Sequence, residues 1–187
     1  MLGASGENAF VRRLAVVFRQ GDKVVHPNHG AGVVRELCRM NGTGQESEYY
    51  IIELFANRLT VMVPVANATS LGLRQASADL VREALATLAG RPEELPNDFK
   101  LRQKELTEKL RSGDTRLIAQ VCRDLTWRSR WGQLTSTDAR LLDHARSFLA
   151  TELAAVRDCS TEEALAELSS VLVQTVSAWA AAPGAGH

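Results

Sequence analysis

The sequence predicts an α+β protein of two domains, a small antiparallel β barrel followed by a compact bundle of about five α-helices. Near Ala76 the hydrophobic pattern changes from short β-branched runs to long Leu/Ala stretches of helical spacing. Gly, Asn and Pro punctuate the first part, whereas only Pro92, Pro96 and Pro183 follow Pro64. Each helical stretch also carries one apolar stripe, so the helices must cover one another. The expected organisation is an extension over 1–17, a β domain over 18–76, a helical domain over 77–182 and a tail over 183–187.

Asp22 to His26 reads as a first strand, ended by Pro27-Asn28-His29-Gly30, where Pro fixes one backbone angle and Gly accepts a positive one. Ala31 to Met40 is a second strand. Asn41-Gly42-Thr43-Gly44 then signals a hairpin, because Asn and Gly tolerate the primed turns. Tyr49 to Leu54 returns, Ala56-Asn57-Arg58 turns, and Leu59 to Val65 follows with Leu59, Val61 and Val63 on one face. Pro64 cannot donate to a ladder and marks a strand end or an edge. Leu71 to Arg74 supplies a short fifth strand, and the set suggests a bent barrel of the SH3 or Tudor type.

In the helical half, Ser77 caps a first helix with Leu80, Ala84, Leu85 and Leu88 on its stripe, ended by Gly90 and Pro92. Asn97 or Asp98 opens a second, stopped at Ser112-Gly113, and Asp114 or Thr115 opens a third carrying Leu117, Ile118, Val121 and Leu125. Thr135 with Asp138 and Ser160 with Glu163 have capping-box spacing. They precede stripes that include Leu141, Leu142, Phe148 and Leu149 in one helix, and Leu165, Leu168, Leu172 and Trp179 in the other.

The 187 residues are 45% apolar and 24% charged, which excludes a chain disordered throughout. No window reaches the ~18 uninterrupted apolar residues of a membrane span, and Leu14 to Phe18 is too short for a secretory core, so a cytoplasmic protein without membrane contact is expected. Cys38, Cys122 and Cys159 are far apart and lack a metal-ligand spacing; they are expected to be reduced, buried and inert. Net charge is zero from 22 basic and 22 acidic residues, which argues against a general nucleic-acid coat protein. The charge is uneven, however: 99–131 holds 9 basic and 4 acidic residues, against 3 and 7 over 132–187. Such a basic island either faces phosphate or forms a solvated, ion-paired helix face.

Catalytic patterns are missing from the sequence. There is no Gly-rich phosphate loop, nucleophile elbow or H-E-x-x-H. His26 and His29 are three residues apart without a nearby Cys, Asp or Glu to complete a metal shell, so neither metal nor cofactor is expected. A binding module is favoured over an enzyme. Trp127 and Trp131, interleaved with Arg128 and Arg130, have the composition to stack on bases, but at i and i+4 such a pair more often anchors a helix to its neighbour. Packing is the expectation for both, and for Trp179.

The run Phe18-Arg-Gln-Gly-Asp-Lys-Val-Val-His-Pro-Asn-His-Gly-Ala-Gly-Val-Val34 resembles the opening of the CarD family of bacterial RNA-polymerase-binding transcription regulators. The likeness continues through Thr60-Val-Met-Val-Pro64, Gly72-Leu-Arg74, Leu110-Arg-Ser-Gly-Asp114 and Val121-Cys-Arg-Asp-Leu125. It extends through Leu134 to Leu142, Ala145-Arg146 and Glu152-Leu-Ala154. The resemblance implies a Tudor-like N-terminal domain, shared with transcription-repair coupling factor, that docks on the β subunit of RNA polymerase. It also implies a helical domain lying on promoter DNA at the upstream edge of the bubble, without sequence-specific readout. A family Trp that wedges into the minor groove aligns with Phe99, which keeps a ring but loses the indole N–H.

Phe99 has a competing reading, since Phe99, Leu106 and Leu110 fall at i, i+7 and i+11, the spacing of a buried stripe. Around it Lys100, Arg102 and Lys104 are the expected phosphate contacts, joined by Arg140 and His144 further on. Two family lysines are replaced by Ala139 and His144, which weakens the implied DNA grip. On the β domain, positions where relatives use Arg against polymerase align with Met40 and Met62, with Arg35 and Arg39 as replacement charges nearby. Core packing of Met40 and incidental exposure of Met62 are the alternatives. An adapter that grips polymerase or another partner with little DNA binding is the competing function, and nothing requires more than a monomer.

Overall fold

The computed structural model describes residues 18–42 and 45–181. The expected extension, tail and hairpin residues 43–44 lie outside that range. The five strands are β1 (Lys23–His26), β2 (Gly30–Gly42), β3 (Gln45–Leu54), β4 (Thr60–Pro64) and β5 (Arg74–Gln75), with a 3-10 turn at Val65–Asn67. They form one antiparallel sheet in the order β4-β3-β2-β1-β5. The sheet curls around Phe18, Val24, Val34, Tyr50, Ile52, Leu54, Val63 and Leu73. This is the expected Tudor-like β domain, and Pro64 sits on an edge strand, where its missing donor is harmless. Two expected strands are shorter. Leu59 lies outside β4 and is exposed, and Leu71 is exposed in the turn before β5, leaving Leu73 as the buried residue of that segment.

Five helices follow: α1 (Ala78–Ala89), α2 (Phe99–Arg111), α3 (Thr115–Arg128), α4 (Ser136–Arg157) and α5 (Thr161–Ala181). Side chains of Ser77, Asp98, Asp114 and Thr135 accept from backbone N–H groups of the first turns of α1 to α4. Ser160 and Glu163 close a reciprocal box, each side chain accepting from the other's backbone N–H, at 3.1 and 2.9 Å. At Thr135 the box is half-formed, because the Asp138 carboxylate is turned to Arg102. The stripe of α1 is rotated from expectation, burying Val81, Ala84 and Leu88, with Leu80 and Leu85 half-exposed. Leu165 of α5 is likewise exposed. By length and composition α5 could cross a membrane, but Ala164, Leu168, Leu172 and Thr175 lay one face of it on the bundle.

The two domains share one core. Val25 and Ala31 of the sheet belong to the cluster formed by Leu88, Leu106, Ile118, Leu125, Leu149 and Leu153. At the seam the buried Thr151 hydroxyl accepts from the Ala31 N–H at 2.9 Å and donates to the Phe148 carbonyl at 2.8 Å. Gly30 (φ +77°) and Gly113 (φ +67°) permit the close approach. A Cβ on Gly30 would lie 2.5 Å from the Thr151 hydroxyl, and one on Gly113 would lie 2.5 Å from Cβ of Pro27. Between them lies an ionic lock. Arg74 donates to both oxygens of Glu152, at 2.6 and 2.9 Å, and to Thr115 Oγ1 at 2.6 Å, while the Thr115 hydroxyl lies 2.9 Å from Glu152. The Glu152 side chain is 0% exposed. Lys23 and Asp158 add an exposed pair at 2.8 Å, whose hydrogen bond holds the Asp158 carboxyl below its usual range.

Candidate functional site

One candidate surface is the face of the sheet turned away from the β core. Side chains alternate along a strand, so Ser47, Tyr49, Ile51 and Glu53 of β3 share this face, opposite Tyr50 and Ile52. Register places Met62 beside Ile51, and Met40 beside Ser47. Both methionines are exposed, with Cys38, Tyr49 and Ile51 half-buried between them. Core packing of Met40 is therefore not its role. A bulge between Val34 and Glu36 brings Arg35 to Glu53 at 2.7 Å on the same face, and this hydrogen bond keeps the Glu53 carboxyl below its usual range. Arg39 has the opposite parity to Met40 and pairs with Glu48 at 3.0 Å, so it does not join the methionines.

The second surface is an end of the helical bundle. The chain turns at Ser112–Asp114 between α2 and α3, Arg102 near the start of α2 meets Asp138 near the start of α4, and residues 129–135 link that point to the end of α3. Phe99 is the first residue of α2 and is 46% exposed, whereas Leu106 and Leu110 are buried. The buried-stripe alternative for Phe99 fails because the stripe begins a turn later. Lys100 and Lys104 are exposed one turn apart.

Arg102 corrects the expected set of phosphate contacts. It is 2% exposed and pairs with the buried Asp138, with N–O distances of 3.2 and 3.0 Å. It also donates to the carbonyls of Pro96 and Asn97 at 2.8 and 3.2 Å, and its guanidinium stands 6.0 Å from the Phe99 ring centroid. Arg102 thus clamps the connection entering α2 onto α4 and positions Phe99. Upstream, the Asp124 carboxylate accepts from the Glu93 N–H at 3.0 Å while taking Arg123 Nε at 2.7 Å. Burial raises the Asp124 carboxyl above its ordinary value. Two of the island's cations, Arg102 and Arg123, are internal struts, which is why its charge overstates the cationic surface.

Arg140 and His144 are exposed one turn apart on α4. His144 lines an open hollow with Asn28, His29, Ser147 and Phe148 at the seam between the domains. His29 in turn lies 4.7 Å, ring to ring, from His26. Partial desolvation first, then the charge of His29, lowers both His26 and His144 below 6.5. Among the described residues no group of three or more His, Cys, Asp or Glu is placed to hold a metal. Cys122 is buried and its thiol is pushed up to about 11, whereas Cys38 and Cys159 are only half-buried.

Sequence reasoning did not find the ionic lock, and it expected Trp131 to pack rather than to stand exposed. Trp131 is 64% exposed, not packed as expected. It lies beyond the end of α3, where hydrogen bonds from the N–H groups of Arg130 and Trp131 reach back three residues rather than four. Gly72-Leu-Arg74 and Glu152-Leu-Ala154 held the signal for the lock, but nothing in either segment indicates its partner.

A curled five-stranded sheet locked to a helical bundle defines a two-domain α+β fold, with an outer sheet face of mixed character and an aromatic-cationic end on the bundle. Residues 18–77 match the CarD-like/TRCF RID domain and residues 83–169 match the CarD, C-terminal domain. The chain belongs to the CarD family. It is 27% identical over 150 residues to a protein of Bacillus subtilis (strain 168) named "Putative transcription factor YdeB", covering 79% of this chain and 97% of the relative.

Proposed function

We propose that this CarD-family chain is a non-enzymatic, cytoplasmic transcription regulator that bridges RNA polymerase and promoter DNA and prolongs the open complex. The outer sheet face, with Met40, Met62 and Arg35, grips the polymerase β subunit. Phe99 enters the minor groove at the upstream edge of the bubble, and Lys100, Lys104, Arg140 and His144 approach phosphates without reading bases. The single observation that carries this reading is the half-exposed Phe99 ring at the start of α2, clamped from behind by Arg102 and flanked by two exposed lysines. An exposed apolar ring is poorly used in water and well used as a wedge.

The test is the lifetime of competitor-challenged open promoter complexes. Wild-type protein lengthens it, and Phe99→Ala removes about tenfold of the gain, roughly 1.4 kcal/mol, while polymerase binding stays intact. No effect of the wild-type protein on lifetime would overturn the reading. The adapter alternative draws on Arg102, whose burial thins the cationic surface already reduced by Ala139 and His144. Anisotropy titration of fork DNA at low salt separates the two, and a flat trace selects the adapter.

A further inference from the structure

The segment Leu125 to Thr137 contains Trp127, Arg128, Arg130 and Trp131 and no carboxylate. It forms the end of α3 and the loop to α4, at the same end of the bundle as Phe99. Asp124 and Asp138, the flanking acids, are both buried and paired with arginines, so they do not offset its charge at the surface. Trp127 is half-buried and meets Trp131 edge to face at 6.1 Å and 77°. Arg130 holds this pair in place, its guanidinium 5.5 Å from the Trp127 centroid and its NH1 donating to the Val176 carbonyl of α5 at 2.8 Å. Trp131 thereby rests on one side against the Trp127 ring while 64% of it faces solvent. A Cβ built on the next residue, Gly132, would meet no other described residue within 4 Å, apart from its chain neighbours.

From these features we propose that Trp131 is a stacking platform for an unpaired DNA base, with Arg128 and Arg130 drawing in the adjoining phosphates. The inference rests on the DNA-bridging reading above and adds a second contact to it. Phe99 wedges where the duplex ends, and Trp131 takes a base from the separated strand beyond. An exposed indole in a carboxylate-free, cationic setting suits a nucleobase, because every base offers a π-face and brings a phosphate with it. A protein partner would be better matched by an apolar rim, whereas the residues beside Trp131 in the chain are Ser129, Arg130, Gly132 and Gln133, with Trp127 as its ring neighbour.

The experiment compares full-length wild type, Trp131→Ala and Trp131→Tyr by fluorescence anisotropy on two DNAs of equal length, one fully duplex and one an upstream fork with an unpaired arm. Trp131→Ala is expected to weaken fork binding about tenfold and duplex binding less than twofold, and Trp131→Tyr to keep most of the fork affinity. Equal fork affinity for wild type and Trp131→Ala overturns the platform and leaves the DNA-bridging reading standing. Wild type binding neither DNA overturns both. A Trp131→Ala variant that loses polymerase in a pull-down but keeps fork affinity assigns the surface to protein and overturns the proposal. Trp131→Tyr guards against misfolding, since it keeps a ring on the Trp127 edge.

Discussion

Replacing Arg74 with Ala removes the cation from the seam and leaves the Glu152 carboxylate, 0% exposed, with the Thr115 hydroxyl as its remaining partner in the lock. Breaking a buried pair from one side costs about 3–5 kcal/mol, because the stranded charge keeps its desolvation penalty and loses its counterion. In a chain of 187 residues that lowers the melting temperature by roughly 6–20 °C. The double variant Arg74→Met/Glu152→Leu recovers most of the loss, since an apolar replacement of both partners is often close to neutral. The assay is urea unfolding followed by Trp fluorescence, which reports only the helical domain because Trp127, Trp131 and Trp179 all lie there. Arg74 sits in the β domain and Glu152 in α4, so the probe reads the loss of a contact made across the seam. A cost under ~1 kcal/mol, or a wild-type far-UV circular-dichroism transition that does not coincide with the Trp transition, would refute the view that the two domains form one cooperative body.

Gly113→Ala forces a Cβ to 2.5 Å from Cβ of Pro27 at a positive φ and should cost about 2–4 kcal/mol, whereas Gly132→Ala in open space should change urea unfolding by less than ~0.5 kcal/mol. His26 and His144 are held below 6.5 by partial desolvation and by His29, so the folded state binds fewer protons than the unfolded chain. Their contribution to stability is complete above pH 6.5 and is lost as pH falls through the lowered folded values; the urea midpoint drops towards pH 5.5, less steeply in His29→Asn. Met62→Glu places a charge on the outer sheet face without touching the core, and should abolish polymerase pull-down while the unfolding midpoint stays put.

Much of the architecture was legible because its signals are local. Ser77, Thr135 and Ser160 cap where capping chemistry placed them, and Asp98 and Asp114 resolve the two alternative starts. What escaped depends on distant partners. Arg102 looks like a surface cation on a polar helix, and only Asp138, 36 residues on, makes it internal. Trp131 was assigned by helical spacing that no longer applies, since α3 ends at Arg128 and the chain tightens into turns that swing the ring outward. Leu59 and Leu71 show the same limit in the sheet, where alternation continued past the last paired residue. Met40 and Met62 share one face of the sheet but stand on β2 and β4 with β3 between them, and parity separates Arg39 from both.

A photo-crosslinking amino acid at position 99, in the full chain bound to polymerase on a melted promoter, tests the bridging account most directly. The account predicts a crosslink to DNA at the upstream edge of the bubble, lost when Met62→Glu releases the chain from polymerase. Crosslinks confined to polymerase subunits, with DNA unlabelled, would contradict it.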